Sequence, residues 1–180
     1  MAKKKRFVLY TELPVEKLYE VLSSETYLIT KEEMERPEQA NITDTSYERR
    51  DDGVTAARVR MESLLDAPGK EPEDSSVDEP RRMVIEQTTH VQPMGSDKSG
   101  QGFSFATVMP LPGNIGAMFT DMEMTPGKNG TGTDMSVEVR VDVHVPALRI
   151  RLSQQLLGNS EETVSKGIRR AERLAQSHLQ

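Results

Sequence analysis

The chain has no cysteine and no tryptophan, and its 180 residues include only four tyrosines and four phenylalanines. Without thiols there can be no disulfide framework, thiolate metal site or cysteine nucleophile. No apolar run approaches the roughly 20 residues that a bilayer-spanning helix needs, so no integral membrane association is expected. The opening Lys3-Lys4-Lys5-Arg6 has the charge of a secretory leader, but its apolar stretch Phe7-Val8-Leu9-Tyr10 stops at Thr11-Glu12, too short for one. A cytoplasmic protein is expected. Hydrophobic residues make up 35% and charged residues 29%, with a net charge of −6. That balance favours solubility and argues against a nucleic-acid partner. The length suits one domain, residues 1–180, with a sizeable core. Oligomeric state is not encoded at this level.

What is present reads mainly as strands. Residues 4–12 form a β-branched and aromatic strand ended by Leu13-Pro14. Pro14 suits a helix start, and Val15, Leu18, Tyr19 and Leu22 make one apolar stripe behind it. A second short helix is expected over 24–34, ending before Pro37. Residues 40–62 read as a hairpin about the turn Asp51-Asp52-Gly53. Residues 66–81 carry six acids, two bases and three prolines, and read as a flexible acidic loop insertion. Three more strands follow near 82–92, 102–109 and 114–125, separated by short turns rich in Gly, Ser, Asp and Asn. Such connections imply an antiparallel meander.

The last third is the most informative. Residues 135–145 alternate strictly, with Met135, Val137, Val139, Val141, Val143 and Val145 against Ser136, Glu138, Arg140, Asp142 and His144. One face of this strand is therefore buried and the other solvated. A helix of about thirty residues follows Pro146 and must cover the apolar face. Its inner face is expected to carry Leu156, Leu157, Ser160, Val164, Gly167, Ile168, Ala171, Leu174 and Ala175. Its outer face is expected to carry Glu161, Glu162, Lys166, Arg169, Arg170 and Arg173. The small residues at 153, 160, 167 and 171 leave two options open: unfilled volume above the sheet, or close packing onto it.

The order of strand, short helices, antiparallel strands and long final helix resembles the helix-grip fold of the START-like superfamily, which includes the birch-pollen-allergen and polyketide-cyclase proteins. The likeness is carried by 7–23, a strand, a Pro and a helix with Leu and aromatic anchors, and by 139–148, a Val-rich strand ending at a Pro. The second stretch is similar to an uncharacterised, largely actinobacterial branch. The resemblance implies an α+β fold in which a curved antiparallel sheet wraps a long C-terminal helix, with two short helices after the first strand. It also implies a cavity that takes an apolar or amphipathic small molecule.

Phasing each strand by its apolar face gives the candidate lining. From the strands these are Tyr47, Val59, Met61, Ile85, Gln87, Thr89, Phe103, Phe105, Met118, Thr120, Met122, Val139 and Val141. From the helix they are Leu156, Leu157, Ser160, Val164 and Ile168. Ten methionines against four phenylalanines suit a surface that adapts to irregular ligands, although methionine also fills ordinary cores. Gln87, Thr89, Thr120, Thr45 and Tyr47 are polar groups on the inward phase, which need partners from protein, water or ligand. His90 and His144 fall on the solvated phase and His178 lies at the chain end, so no catalytic residue, metal or cofactor is expected. Gly127-Lys128-Asn129-Gly130 joins two strands and reads as a hairpin turn, not a phosphate loop. Three functions remain open: binding or transport of a lipid or polyketide-like molecule, a cyclase or dehydratase acting on one, and an interaction module with a filled core.

Overall fold

The alternation in the last third becomes a central strand. In the computed structural model, which describes residues 2–30, 40–64 and 82–177, β7 (Thr133–Val143) buries Thr133, Met135, Val137, Val139, Val141 and Val143 and turns the intervening residues outward. The other strands are β1 (Lys3–Thr11), β2 (Ala40–Arg49), β3 (Thr55–Leu64), β4 (Arg82–Val91), β5 (Phe103–Pro110) and β6 (Gly116–Pro126). All pair antiparallel in one curved sheet, in the order β1-β7-β6-β5-β4-β3-β2. Consecutive strands from β2 to β7 are neighbours, so the meander expected from the short turns is present, and β1 closes onto β7.

The turns are chemically specified. At Asp51-Asp52-Gly53 the Val54 N–H donates to Asp52 Oδ1 at 3.0 Å, and Gly53 adopts φ +85°, which costs a glycine little. The β4–β5 turn is organised by Asp97, which is almost out of solvent. Its carboxylate accepts the Gly102 N–H at 2.7 Å, the Ser99 N–H at 3.2 Å and the Ser99 hydroxyl. Burial alone would raise the pKa of Asp97, but these hydrogen bonds outweigh it and hold the group below its ordinary value.

Two short helices follow β1 in the chain. In α1 (Val15–Leu22) the expected stripe is present, with Val15, Leu18, Val21 and Leu22 buried and Tyr19 edge-on to Phe103 at 5.2 Å. The second helix, α2 (Glu25–Leu28), is capped by Ser24, whose hydroxyl accepts the Tyr27 N–H at 3.3 Å. It is shorter than the expected span of 24–34, part of which lies outside the described residues, as does the acidic 66–81 segment.

The long helix α3 (Pro146–Ser177) runs without a break through Gly158-Asn159. It lies closest to β7, β1 and α1. Ser153, Ser160, Gly167, Ala171 and Ala175 are buried, while Leu156, Leu157 and Val164 are only half-buried. The small residues thus let the helix approach the sheet closely, which settles the choice between close packing and unfilled volume along that stripe. Polar ties fix its position over β1: Lys5 Nζ is 3.6 Å from Glu161, and the Thr11 hydroxyl donates to Glu172 at 2.8 Å.

Arg170 requires a correction. Expected on the outer face, it is 5% exposed. Its guanidinium lies 4.1 Å from the centre of the Tyr27 ring and donates to the Tyr27 carbonyl at 2.9 Å. The Tyr27 hydroxyl in turn donates to the Gly167 carbonyl at 3.2 Å. This side of α3 faces α2, which a one-dimensional helical period does not reveal. Among the described residues, no helix is long and apolar enough to cross a membrane.

Candidate functional site

The sheet face turned toward α3 is built from cross-strand rows. Phe103, Met124 and Met135 form one row, and Val91, Phe105, Met122 and Val137 another. Every residue of both rows is buried under α1, α2 and the second half of α3, in the larger of two apolar clusters. A third row runs Ala57, Thr89, Thr107, Thr120 and Val139. Beyond it lie Val59 with Gln87, Met61 with Ile85, and Met109 with Met118 and Val141.

Burial changes across the third row. Ile85, Gln87, Thr107, Met109 and Met118 point inward yet are half-buried, as are Leu152, Leu156, Leu157 and Val164 on α3. The geometry explains this. The helix sits over β7 and β1, whereas β5 and β4 lie two and three strands away, about 10 and 15 Å at the usual strand spacing. The smaller apolar cluster, Leu111, Val141 and Val143 with Ile115, Met118, Leu152, Leu156 and Leu157 around it, covers only the β6–β7 side of this end.

The candidates from the sequence divide accordingly. Phe103, Phe105, Met122, Val139 and Ile168 belong to the packed core, and Val59, Met61 and Val141 are buried on the inner face. Ile85, Gln87, Met118, Leu156, Leu157 and Val164 border the less filled half, with Thr89 and Thr120 at its floor. Ser160 is buried and spends its hydroxyl on the Leu157 carbonyl at 2.7 Å. Tyr47 packs against the core edge. Its hydroxyl donates to the Ser23 carbonyl at 2.7 Å and accepts from Arg49 Nε at 3.1 Å, so its donor is already used. Thr45 lies opposite Val59 on the inner phase, as expected, but is exposed because β2 is the edge strand. Thr107, Met109 and Leu152 were not among the candidates, although extending the 103, 105 alternation by two steps reaches the first two.

The electrostatics are segregated. Across β3–β7 the inward positions hold no ionisable side chain. Arg6 with Glu138 at 2.6 Å and Arg58 with Asp44 at 2.6 Å pair on the outer face, whereas Lys5, opposite Val139 on the inner phase of β1, pairs with Glu161 of α3. Hydrogen bonding from Arg6 holds the Glu138 carboxyl below its usual value, and the bond to Tyr47 raises Arg49. His90 is half-buried on the outer phase and His144 is exposed. Among the described residues, no cluster of three His, Asp or Glu side chains could hold a metal ion.

This architecture has solved counterparts. Ara h 8.0201 superposes with a TM-score of 0.56 at 11% identity, covering 98% of this chain and 99% of that one. A START superfamily protein from Mycobacterium smegmatis gives 0.54 at 14%, covering 95% and 98%. Norcoclaurine synthase from Thalictrum flavum, solved with dopamine and hydroxybenzaldehyde, gives 0.53 at 12%, covering 99% and 88%. At these identities the likeness establishes the fold, which is the START-like helix-grip fold. No curated protein matches the chain in sequence. In sequence, residues 7–172 match the family described as "Protein of unknown function (DUF2505)", and the chain belongs to that family.

Proposed function

We propose that the chain acts as one domain that binds a hydrophobic or amphipathic small molecule, of lipid or polyketide-like character, between the inner face of β4–β6 and the first half of α3. The observation that carries this reading is the half-burial of Ile85, Met109, Met118, Leu152 and Leu156, all pointing into the fold. Apolar side chains placed inside yet left partly open gain from a guest that completes their burial. An alkyl guest hiding about 200 Å² there gains about 5 kcal/mol before ordering costs.

A cyclase or dehydratase on the same fold is disfavoured by the lining. Acid–base catalysis needs a titratable group within reach of the substrate. The inward positions of β3–β7 supply none, and the Tyr47 hydroxyl donor is committed to Ser23. A filled-core interaction module is disfavoured by the same half-burial that carries the proposal.

Native mass spectrometry of freshly purified protein, compared with its denatured mass, tests the reading. A releasable adduct of lipid-like mass is expected. A clean apo mass that persists after incubation with a broad lipid and metabolite extract would refute the binding role.

A further inference from the structure

Within the lining, one feature goes beyond apolar burial. Thr89 is paired with Thr107 and Thr107 with Thr120, so three threonines stand side by side on three adjacent strands. Directly opposed residues hold their Cβ atoms about 5 Å apart, so the row spans about 10 Å. Thr89 and Thr120 are 4% and 8% exposed, and the Gln87 amide lies on the same face of β4. Among the described residues, none of these four side chains makes a hydrogen bond, and none is one of the residues with a further interaction. Nor are the hydroxyls sealed off: among the described residues, the threonine hydroxyls of this row are not among the fully enclosed side-chain polar atoms that lack a hydrogen bond. The threonine hydroxyls are therefore not fully enclosed, at the floor of an otherwise apolar surface.

Resting on the binding role proposed above, we infer that this row is the polar subsite of the cavity. It takes an uncharged oxygen group, such as a hydroxyl or ketone, at the buried end of an apolar ligand. Hydroxyls both donate and accept, and the Gln87 amide does the same, so a neutral group of either polarity finds a partner. An ionised carboxylate, phosphate or ammonium does not. It would lie beneath Met118, Ile85 and Leu156 with no counter-charge on β3–β7. The lysine that continues the row, Lys5 on β1 opposite Val139, stands two strands beyond Thr120 and is already paired with Glu161. Burying an unpaired ion is far costlier than burying a hydrogen-bonded neutral group. The ligand enters polar end first, leaving its tail against the half-buried apolar rim of Met109, Met118, Leu152 and Leu156.

Isothermal titration of the full chain with four ten-carbon probes at pH 7.5 tests this inference: 1-decanol, 2-decanone, decanoate and decylammonium. The alcohol and the ketone are expected to bind at least about tenfold more tightly than either ion. Thr107→Val and Thr120→Val keep side-chain volume and are each expected to weaken 1-decanol about fivefold, the worth of one hydrogen bond. Met118→Leu should weaken all bound probes alike and leave the ratio between them intact. Equal binding of all four probes, tighter binding of decanoate, or valine variants with unchanged preference would overturn the threonine-row inference while leaving the container standing. Failure of every probe to bind would overturn both.

Discussion

Asp97 shows how much one side chain can organise. Its carboxylate gathers Ser99 and Gly102 into the β4–β5 turn, and its pKa is lowered in the folded state. A depressed carboxylate contributes stability that is present in full above the unfolded value, about 3.9. That contribution is lost as the pH falls through the lower folded value. Asp97→Asn should therefore lower the Tm most at pH 6–7, with the difference from the parent protein shrinking toward pH 2. Parallel thermal melts across that range check the sign. The Arg170–Tyr27 contact carries a second prediction. Tyr27→Phe loses one buried hydrogen bond, worth about 1 kcal/mol, whereas Arg170→Ala removes the cation–π contact and the bond to the Tyr27 carbonyl together, about 2–3 kcal/mol. Urea unfolding of both variants measures the difference. Arg170 was not legible as a buried residue in the sequence, because an arginine among Arg169 and Arg173 reads as solvated until α2 is known to lie beside it. Thr107 was concealed differently: its strand phase was legible, but a hydroxyl side chain carries no apolar signal that marks an inward position.

Among the elements, α3 is where composition and role separate most clearly. Its small residues are buried in the tight packing, and its larger apolar residues Leu152, Leu156, Leu157 and Val164 are half-buried and border the proposed site. Enlarging the stripe should therefore hurt stability more than trimming the border. Ser160→Leu and Ala171→Leu are expected to cost about 2–3 kcal/mol each through overpacking, while Leu156→Ala should cost about 1 kcal/mol and act mainly on ligand affinity. Gly158 offers a control: a Cβ added there meets nothing within 4 Å. Replacing it with alanine should stabilise the helix by about 0.5–1 kcal/mol, measurable as a higher urea midpoint. The strands were far more readable than this helix. The period-two alternation of β7, the Asp51-Asp52-Gly53 hairpin and the proline at the start of α1 each follow from local chemistry. Whether a small residue leaves a void or admits a neighbour depends on how near that neighbour comes. No local pattern contains that distance.

Over the whole molecule, the interior is unevenly covered. One half of the sheet is sealed by α1, α2 and the second half of α3, and the other half is sparsely covered because α3 lies over β7 and β1. The sequence made the helix-grip order legible and, through strand phase, which residues face the interior. It did not separate the fully buried Phe103, Phe105 and Met122 from the half-buried Met118 and Ile85, since all five share an inward phase. Methionines lie in both halves, Met109 and Met118 in one and Met122, Met124 and Met135 in the other, and can report on each separately. The most direct test is a methyl NMR titration of the protein labelled at its methionine methyls, with 1-decanol as guest. Shifts concentrated at Met109 and Met118, with Met124 and Met135 unmoved, are the result this account predicts. Signals that stay unchanged throughout, or that move only at exposed Met94, would contradict it.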